Sequence, residues 1–130
     1  MASLVMGRRF QVAVCVDGEI VAHRVYEAGS TVTIGTGTAV SLAVDGWEGP
    51  DLELISAGML LRLQPGMRLL RSMNNGEGCV PARTYEELQS AGVELPLHID
   101  NPKLNIGVRP GVSVFVRYLG DADVPWQPPP

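Results

Sequence analysis

Short runs of alternating apolar and polar residues, separated by tight-turn sequences, make up most of the chain. The first run covers residues 9–26, and Asp17-Gly18 at its centre is a pair that favours a two-residue hairpin turn. Because side chains alternate between the two faces of a strand, this turn brings six side chains to one face. They are Phe10, Val12, Val14, Val21, His23 and Val25. The pattern therefore predicts a β-hairpin with one buried face, on which His23 is a core histidine.

The middle of the chain predicts a meander of three strands over residues 51–56, 59–63 and 67–72. A two-residue turn at Ala57-Gly58 and a three-residue loop at residues 64–66 bring the same leucines to one side of the sheet. The two turns independently predict the same apolar side of the sheet, and this agreement favours a buried face formed by these leucines. The set is Leu52, Leu54, Leu61, Leu63 and Leu69.

A short helix interrupts the strands in the second half of the chain. Thr84 and Glu87 have the spacing of a capping box, and Gly92 is placed to end a helix at its carboxyl terminus. These signals predict a helix of about two turns over residues 85–91. Further short β-rich runs precede and follow it, and they cover residues 30–34, 40–44, 95–99, 104–108 and 112–118.

Together the elements predict a mainly-β fold, an antiparallel β-sandwich of nine or ten short strands with one short helix. We expect a single domain over residues 9–120, preceded by a flank of residues 1–8. Residues 121–130 end in three consecutive prolines, which cannot donate to a hydrogen-bonded ladder. The sequence therefore predicts an extended, unpacked linker or tail at this end.

The charge balance and the cysteines narrow the choice of partner and compartment. Ten Lys and Arg against fourteen Asp and Glu give a net charge of −4, and aromatic residues make up 5% of the chain. Nucleic acid and anionic membranes require a basic face, so we expect neither as a partner, and no membrane insertion. Cys15 and Cys79 form no disulfide framework, which favours a reducing compartment and leads us to expect the cytoplasm.

Residues of the common catalytic and metal sites do not occur in the required groupings. Nucleophilic catalysis needs a nucleophile, a base and an orienting group, and neither His23 nor His98 lies near such a signature. The cysteines lack partners at zinc-ligand spacing. Residues 35–38, Gly-Thr-Gly-Thr, lack the lysine and the following helix of a phosphate loop. The sequence thus indicates a protein that is not an enzyme and that holds neither a metal nor a cofactor.

The outer face of the predicted meander carries a charged row and an apolar row. In the charged row Glu53 neutralises Arg62, which leaves Arg68, with Arg71 near the strand end, to meet an acidic partner. The second row consists of three aligned aliphatic side chains, Ile55, Leu60 and Leu70. Such a row favours a surface that is covered, either by the predicted helix over residues 85–91 or by another chain. We therefore predict binding of another protein, or of a second copy through this patch or a sheet edge. The predicted surface consists of Ile55, Leu60, Arg68, Leu70 and Arg71.

The order of these segments resembles a forkhead-associated domain. The resemblance spans residues 10–119 and rests on Thr33-Ile-Gly35, the segment Val40-Ser-Leu42-Ala-Val44-Asp45, a strand pair, Asn75-Gly76 and a closing strand before a polar tail. The resemblance implies a β-sandwich that binds phosphothreonine peptides through loops at one end. Gly35-Thr36 stands where the family has Gly-Arg, so the phosphate-binding arginine is missing. The resemblance then implies an assembly module of a bacterial multiprotein machine.

Three functions follow from these observations. The first is a non-catalytic scaffold module that binds a protein partner without requiring phosphothreonine. The second is a phosphopeptide reader with altered loops, in which Thr36, Asn75 and Arg68 contact the peptide. The third is a β-barrel that binds a small ligand in a cavity lined by the leucine face described above.

Overall fold

The computed structural model describes residues 9–57, 59–73, 83–99, 103–120 and 124–127. Within these ranges it contains eleven strands and one helix, and the helix α1 is Tyr85–Ser90. The strands are β1 (Arg9–Val16), β2 (Glu19–Glu27), β3 (Val32–Gly35), β4 (Leu42–Ala43), β5 (Leu52–Ser56), β6 (Leu60–Leu61), β7 (Arg68–Met73), β8 (Arg83–Thr84), β9 (Leu97–His98), β10 (Lys103–Arg109) and β11 (Val112–Leu119).

The strands form two sheets that pack face to face, which confirms the predicted fold class. One sheet has six strands in the order β2-β1-β11-β10-β7-β8, and the other has five in the order β4-β3-β5-β6-β9. Every pair of neighbouring strands is antiparallel except β3 and β4, which run parallel. Several edge strands have only two residues, and this accounts for a strand count slightly above the predicted one.

Apolar side chains from both sheets meet in the space between them. From the six-stranded sheet, Phe10, Val12 and Val14 alternate along β1, and Val114 and Val116 do so along β11. Each of these side chains is at most 1% exposed. The five leucines predicted for one buried face are all buried, but Leu69 belongs to the six-stranded sheet, so the prediction that they share a face of one sheet is wrong for that residue. The set is Leu52, Leu54, Leu61, Leu63 and Leu69.

The helix forms where the capping box predicts it. The Glu87 amide donates to Thr84 Oγ1 at 3.0 Å, and the Thr84 amide donates to Glu87 Oε1 at 3.1 Å. Leu88 of α1 belongs to the core, and the partly buried Tyr85 packs against it. Among the described residues, no helix has the length and apolar character needed to cross a membrane.

The first hairpin turns where predicted, but its register differs along most of its length. Val21 is an extra residue in β2, because its neighbours Ile20 and Ala22 pair with consecutive residues of β1. Such a bulge exchanges the two faces for the remainder of the strand. Tyr26 is therefore buried and His23 is exposed. The prediction of a core histidine is wrong for this reason.

The predicted meander is also wrong in its register. Ile55, rather than Leu54, pairs with Leu61, and Met59 between the two strands adopts a positive φ of 61°. A bulge at Leu54 breaks the alternation of β5, because neighbouring residues of β3 pair with Ile55 and with Glu53. As a result Leu54 and Ile55 are both fully buried, although they are consecutive in sequence.

The third strand of the predicted meander belongs to the other sheet, since β7 pairs with β10 and β8. The predicted charged row is therefore split between the sheets. Arg62 Nε lies 3.8 Å from Glu53 Oε2, and both side chains are about half exposed at 48% and 49%. Arg68 lies on β7 and takes no part in that pair.

A polar network joins the edges of the two sheets at Ser41. Its Oγ accepts a hydrogen bond from the Thr33 amide at 3.0 Å and donates to the Thr33 carbonyl at 3.2 Å. The Tyr26 hydroxyl lies 3.0 Å from the same Oγ, and Arg24 donates to the Ser41 carbonyl. Since Tyr26 and Arg24 lie on β2 whereas Thr33 lies on β3, these contacts hold the two edges together.

The loop after β3 closes around a carboxylate of the same chain. Asp51 lies so near that a Cβ added at Gly35 would be 2.7 Å from its Cγ and 3.1 Å from its Cα. A Cβ added at Gly37 would lie 2.5 Å from Asp51 Oδ2. Gly35 therefore leaves no room for a Cβ, because both the side chain and the backbone of Asp51 are close, whereas at Gly37 the close atom is the end of a rotatable carboxylate.

Replacing Gly35 with alanine tests this contact. Gly35→Ala should lower the free energy of unfolding by about 2–4 kcal/mol, because the new Cβ meets both the carboxyl group and the backbone of Asp51. Gly37→Ala is the matched control. It should lower the free energy of unfolding by about 1 kcal/mol or less, since only the rotatable carboxylate of Asp51 must move. Urea denaturation measures both. Asp51→Ala should restore part of the loss in a double-mutant cycle, and a Gly35→Ala chain as stable as the original would contradict the contact.

The buried phenol of Tyr26 makes stability depend on alkaline pH. Burial raises its pKa above the ordinary 10.0, although the Ser41 hydrogen bond and the charge of Arg24 act in the opposite direction. The unfolded chain then loses this proton first, so the stabilisation is complete below about pH 10 and is lost as the pH rises further. We expect the free energy of unfolding to fall more steeply above that pH in the original chain than in Tyr26→Phe. Urea titrations across the range test this, and equal slopes would contradict it.

Candidate functional site

The five residues predicted for partner binding do not lie together. Ile55 is 0% exposed and belongs to the core, and Leu60 is half-buried where β6 pairs with β9. Arg68, Leu70 and Arg71 lie on β7, in the other sheet. The predicted apolar row is therefore wrong as a surface. The cause is the changed register of β5 and the transfer of β7 to the six-stranded sheet.

Of the three residues of the alternative phosphopeptide site, the structure describes Thr36 and Arg68, which belong to segments of different sheets. Thr36 is exposed in the loop after β3, Arg68 pairs with Gly107 in the six-stranded sheet, and Asn75 lies outside the described residues. The Asp51 carboxylate occupies the space beside the glycines of the loop. A negative charge at this position repels a phosphate group.

Apolar side chains are exposed on the side of the six-stranded sheet that points away from the core, which we call the outer face. Phe115 of β11 is 39% exposed and Ile20 of β2 is 37% exposed. Phe115 pairs directly with Ala13 of β1. Strand alternation explains this exposure, because Val114 and Val116 on either side of Phe115 point into the core.

Cations flank this apolar area on one side. β7, β10 and β11 contain no Asp or Glu, although the chain as a whole is acidic. Lys103 pairs directly with Arg117, and Arg68 pairs with Gly107 farther along β10. All three cationic residues are exposed. We call Arg68, Lys103 and Arg117 the basic strip.

Residues 124–127 lie on the outer face rather than extending away from it. Gln11 Nε2 donates to the Trp126 carbonyl at 2.8 Å, and the Trp126 amide donates to Gln11 Oε1 at 2.7 Å. Arg117 Nη2 donates to the Val124 carbonyl at 3.0 Å. The prediction of an unpacked tail is therefore wrong for these residues. Proline prevents ladder formation, but it leaves these main-chain groups free to pair with side chains.

His23, which the bulge in β2 brings to the outer face, contacts the same segment. The rings of His23 and Trp126 meet edge to face, with centroids 5.1 Å apart and planes at 89°. His23 Nδ1 also lies 3.5 Å from Gln11 Nε2. The imidazole therefore supports both the indole ring and the amide that holds its main chain.

A depression of about 210 Å³ remains open beside the docked segment. Its walls are mainly apolar, and the indole forms one of them. The lining residues are Gln11, Ala13, Ile20, Phe115, Arg117 and Trp126. The depression lies next to the basic strip, since Arg117 belongs to both.

The outer face offers apolar contact, amide-to-main-chain hydrogen bonds and positive charge. Among the described residues, no three His, Cys, Asp or Glu side chains lie close enough to hold a metal ion. Cys15, a free thiol on β1, is half-buried, and Cys79 lies outside the described residues. These features suit recognition of an extended, acidic polypeptide.

Sequence reasoning missed Phe115, Gln11 and Trp126 as residues of a candidate binding site. One signal was present, because the alternation along β11 places Phe115 on the opposite face from Val114 and Val116. Gln11 likewise lies between two core residues of β1. No sequence pattern marked the docking of Trp126, since its partners are more than one hundred residues away in the chain.

Comparison with known proteins gives no further assignment. No family model matches the chain, and neither the curated proteins nor the solved structures contain a match. The chemistry of the outer face is therefore the basis for a functional assignment.

Proposed function

We propose that this domain is a non-catalytic protein-interaction module whose outer face docks an acidic segment of a partner protein. The observation that carries the proposal is the basic strip, whose strands β7, β10 and β11 contain no acidic residue, beside the exposed Phe115 and Ile20. An exposed apolar centre with a charged margin is the usual composition of such docking surfaces.

The two parts of the surface contribute differently to binding. Burial of Phe115 and Ile20 supplies affinity, and the depression between them accepts an apolar side chain of the partner. The basic strip attracts and orients acidic side chains. A short acidic segment fits better than a long polyanion because the net charge of −4 repels nucleic acid.

Phosphorylation of the partner is not required in this proposal. The Asp51 carboxylate beside Gly35 disfavours a phosphate at the loop where the forkhead-associated resemblance would place one. The module is then a forkhead-associated-like sandwich that binds through a sheet face and serves as a scaffold in an assembly. A small-ligand barrel is disfavoured, since the leucines that would line its cavity pack in the core. We place the module in the cytoplasm, where Cys15 stays reduced.

Peptide selection on the full chain tests the proposal. A displayed library of random, unphosphorylated peptides should yield binders enriched in Asp and Glu around an apolar residue. Lys103→Glu should lower the affinity for a selected peptide by about tenfold, because a repulsive charge replaces an attractive one. Phe115→Ser should reduce binding further by removing the apolar contact. Fluorescence anisotropy measures the affinities, and binding should also weaken with added salt.

Arg62→Glu is the matched control, because it makes the same charge change at an exposed site directly after β6, next to the other sheet. It should leave peptide affinity nearly unchanged. Peptides without acidic enrichment, or equal losses in Arg62→Glu and Lys103→Glu, would contradict the proposal. A parallel library containing phosphothreonine separates the alternative, since binding confined to that library would identify a phosphopeptide reader instead.

A further inference from the structure

Gln11 binds the main chain of an extended segment, residues 124–127, through its side-chain amide. It is a polar residue with only 4% exposure, near the start of β1, which lies between β2 and β11. Both polar ends of its amide pair with one residue, through the carbonyl and the amide of Trp126, at 2.8 and 2.7 Å. An amide side chain used in this way recognises an extended backbone without reference to the side chains of the segment. The ring contact with His23 adds a preference for an aromatic residue.

Few contacts hold residues 124–127 in this site. Val124 is 72% exposed, and none of residues 124–127 belongs to the hydrophobic core. The described contacts of the segment are side-chain hydrogen bonds from Gln11 and Arg117 and one ring contact with His23. Segments with few buried apolar contacts open locally at a small fraction of the global stability. On opening, Gln11 presents a free donor and a free acceptor on the outer face.

The composition of the tail matches the charge of the surface that holds it. Asp121 and Asp123 precede Val124-Pro125-Trp126 in sequence, and the basic strip lies beside the site. Arg117 belongs to the strip and also holds the Val124 carbonyl. The chain therefore carries, at its own end, a segment with the acidic and apolar chemistry that the outer face recognises.

We infer that Gln11, His23 and Arg117 form a binding site for an extended acidic segment of a partner that contains tryptophan. In the bound state this partner segment replaces residues 124–127, and its tryptophan takes the place of Trp126 beside His23. The inference rests on the proposed function, because it specifies the partner segment of the same outer face. The tail acts as the competing occupant within the chain.

A labelled peptide with the sequence of residues 121–130 tests the site on the 130-residue chain. Trp126→Ala weakens the internal occupant, so this variant should bind the peptide roughly tenfold or more tightly than the original chain. Gln127→Ala is the matched control in the neighbouring exposed residue and should bind like the original chain. Fluorescence anisotropy gives the affinities, and the side-chain amide signal of Gln11 in NMR spectra should shift as the peptide binds.

A second peptide carries a methyl group on the main-chain nitrogen of its tryptophan. This methyl group removes the N–H that donates to Gln11 Oε1, and the protein itself is unchanged. Its affinity for Trp126→Ala should fall by roughly tenfold. Equal binding of the two peptides would overturn main-chain recognition by Gln11. Failure of Trp126→Ala to bind the unmodified peptide would overturn the site itself. Concentration-dependent dimerisation of the original chain that Trp126→Ala abolishes would assign the site to the tail of a second copy, and would overturn the partner segment.

The outcomes separate this inference from the proposed function. If acidic peptides from the library depend on Lys103 and Phe115 but do not compete with the tail peptide, the proposed function stands and the inference fails. If the tail peptide binds with sensitivity to N-methylation while the library gives no acidic binders, the Gln11 site stands and docking of an acidic partner fails.

Discussion

The uninterrupted pairing of β1 with β11 is the constraint on which the other features depend. Eight consecutive residue pairs, from Arg9 with Leu119 to Val16 with Val112, align the two strands without a register shift. Because side chains alternate strictly along such a pair, one face supplies the core and the other supplies the outer face. Gln11 therefore faces Arg117 across the ladder, and the segment of residues 124–127 finds both partners side by side.

The parts of the fold that sequence predicted best are those that depend on local chemistry. The capping box located the helix, and the Asp17-Gly18 turn located the first hairpin, because each signal acts within four residues. Single-residue bulges at Val21 and Leu54 then changed which residues face the core. A bulge adds one unpaired residue to a strand and so reverses the alternation beyond it, and a pattern that assumes strict alternation does not reveal where this happens.

The candidate site was harder to predict for the same reason. His23 moved from the predicted core to the outer face through one inserted residue, and Ile55 moved from the predicted surface to the core. The prediction that cationic side chains contact an acidic partner does not depend on the registers of β2 and β5. Arg68 therefore keeps this role in the proposed function. Lys103 and Arg117 join it only through the pairing of β10 with β11, which brings together residues that are distant in sequence.

The tail shows why a proline-rich composition does not by itself predict an unpacked segment. Proline at position 125 removes one donor, but the amide of Trp126 and the carbonyls of Val124 and Trp126 still need partners. In a sheet these groups would join a ladder. Beside proline they pair instead with Gln11 and Arg117, whose long side chains reach from the outer face. Because such bonds form without a neighbouring strand, we infer that a polypeptide of similar composition from another protein meets the same requirements at this surface.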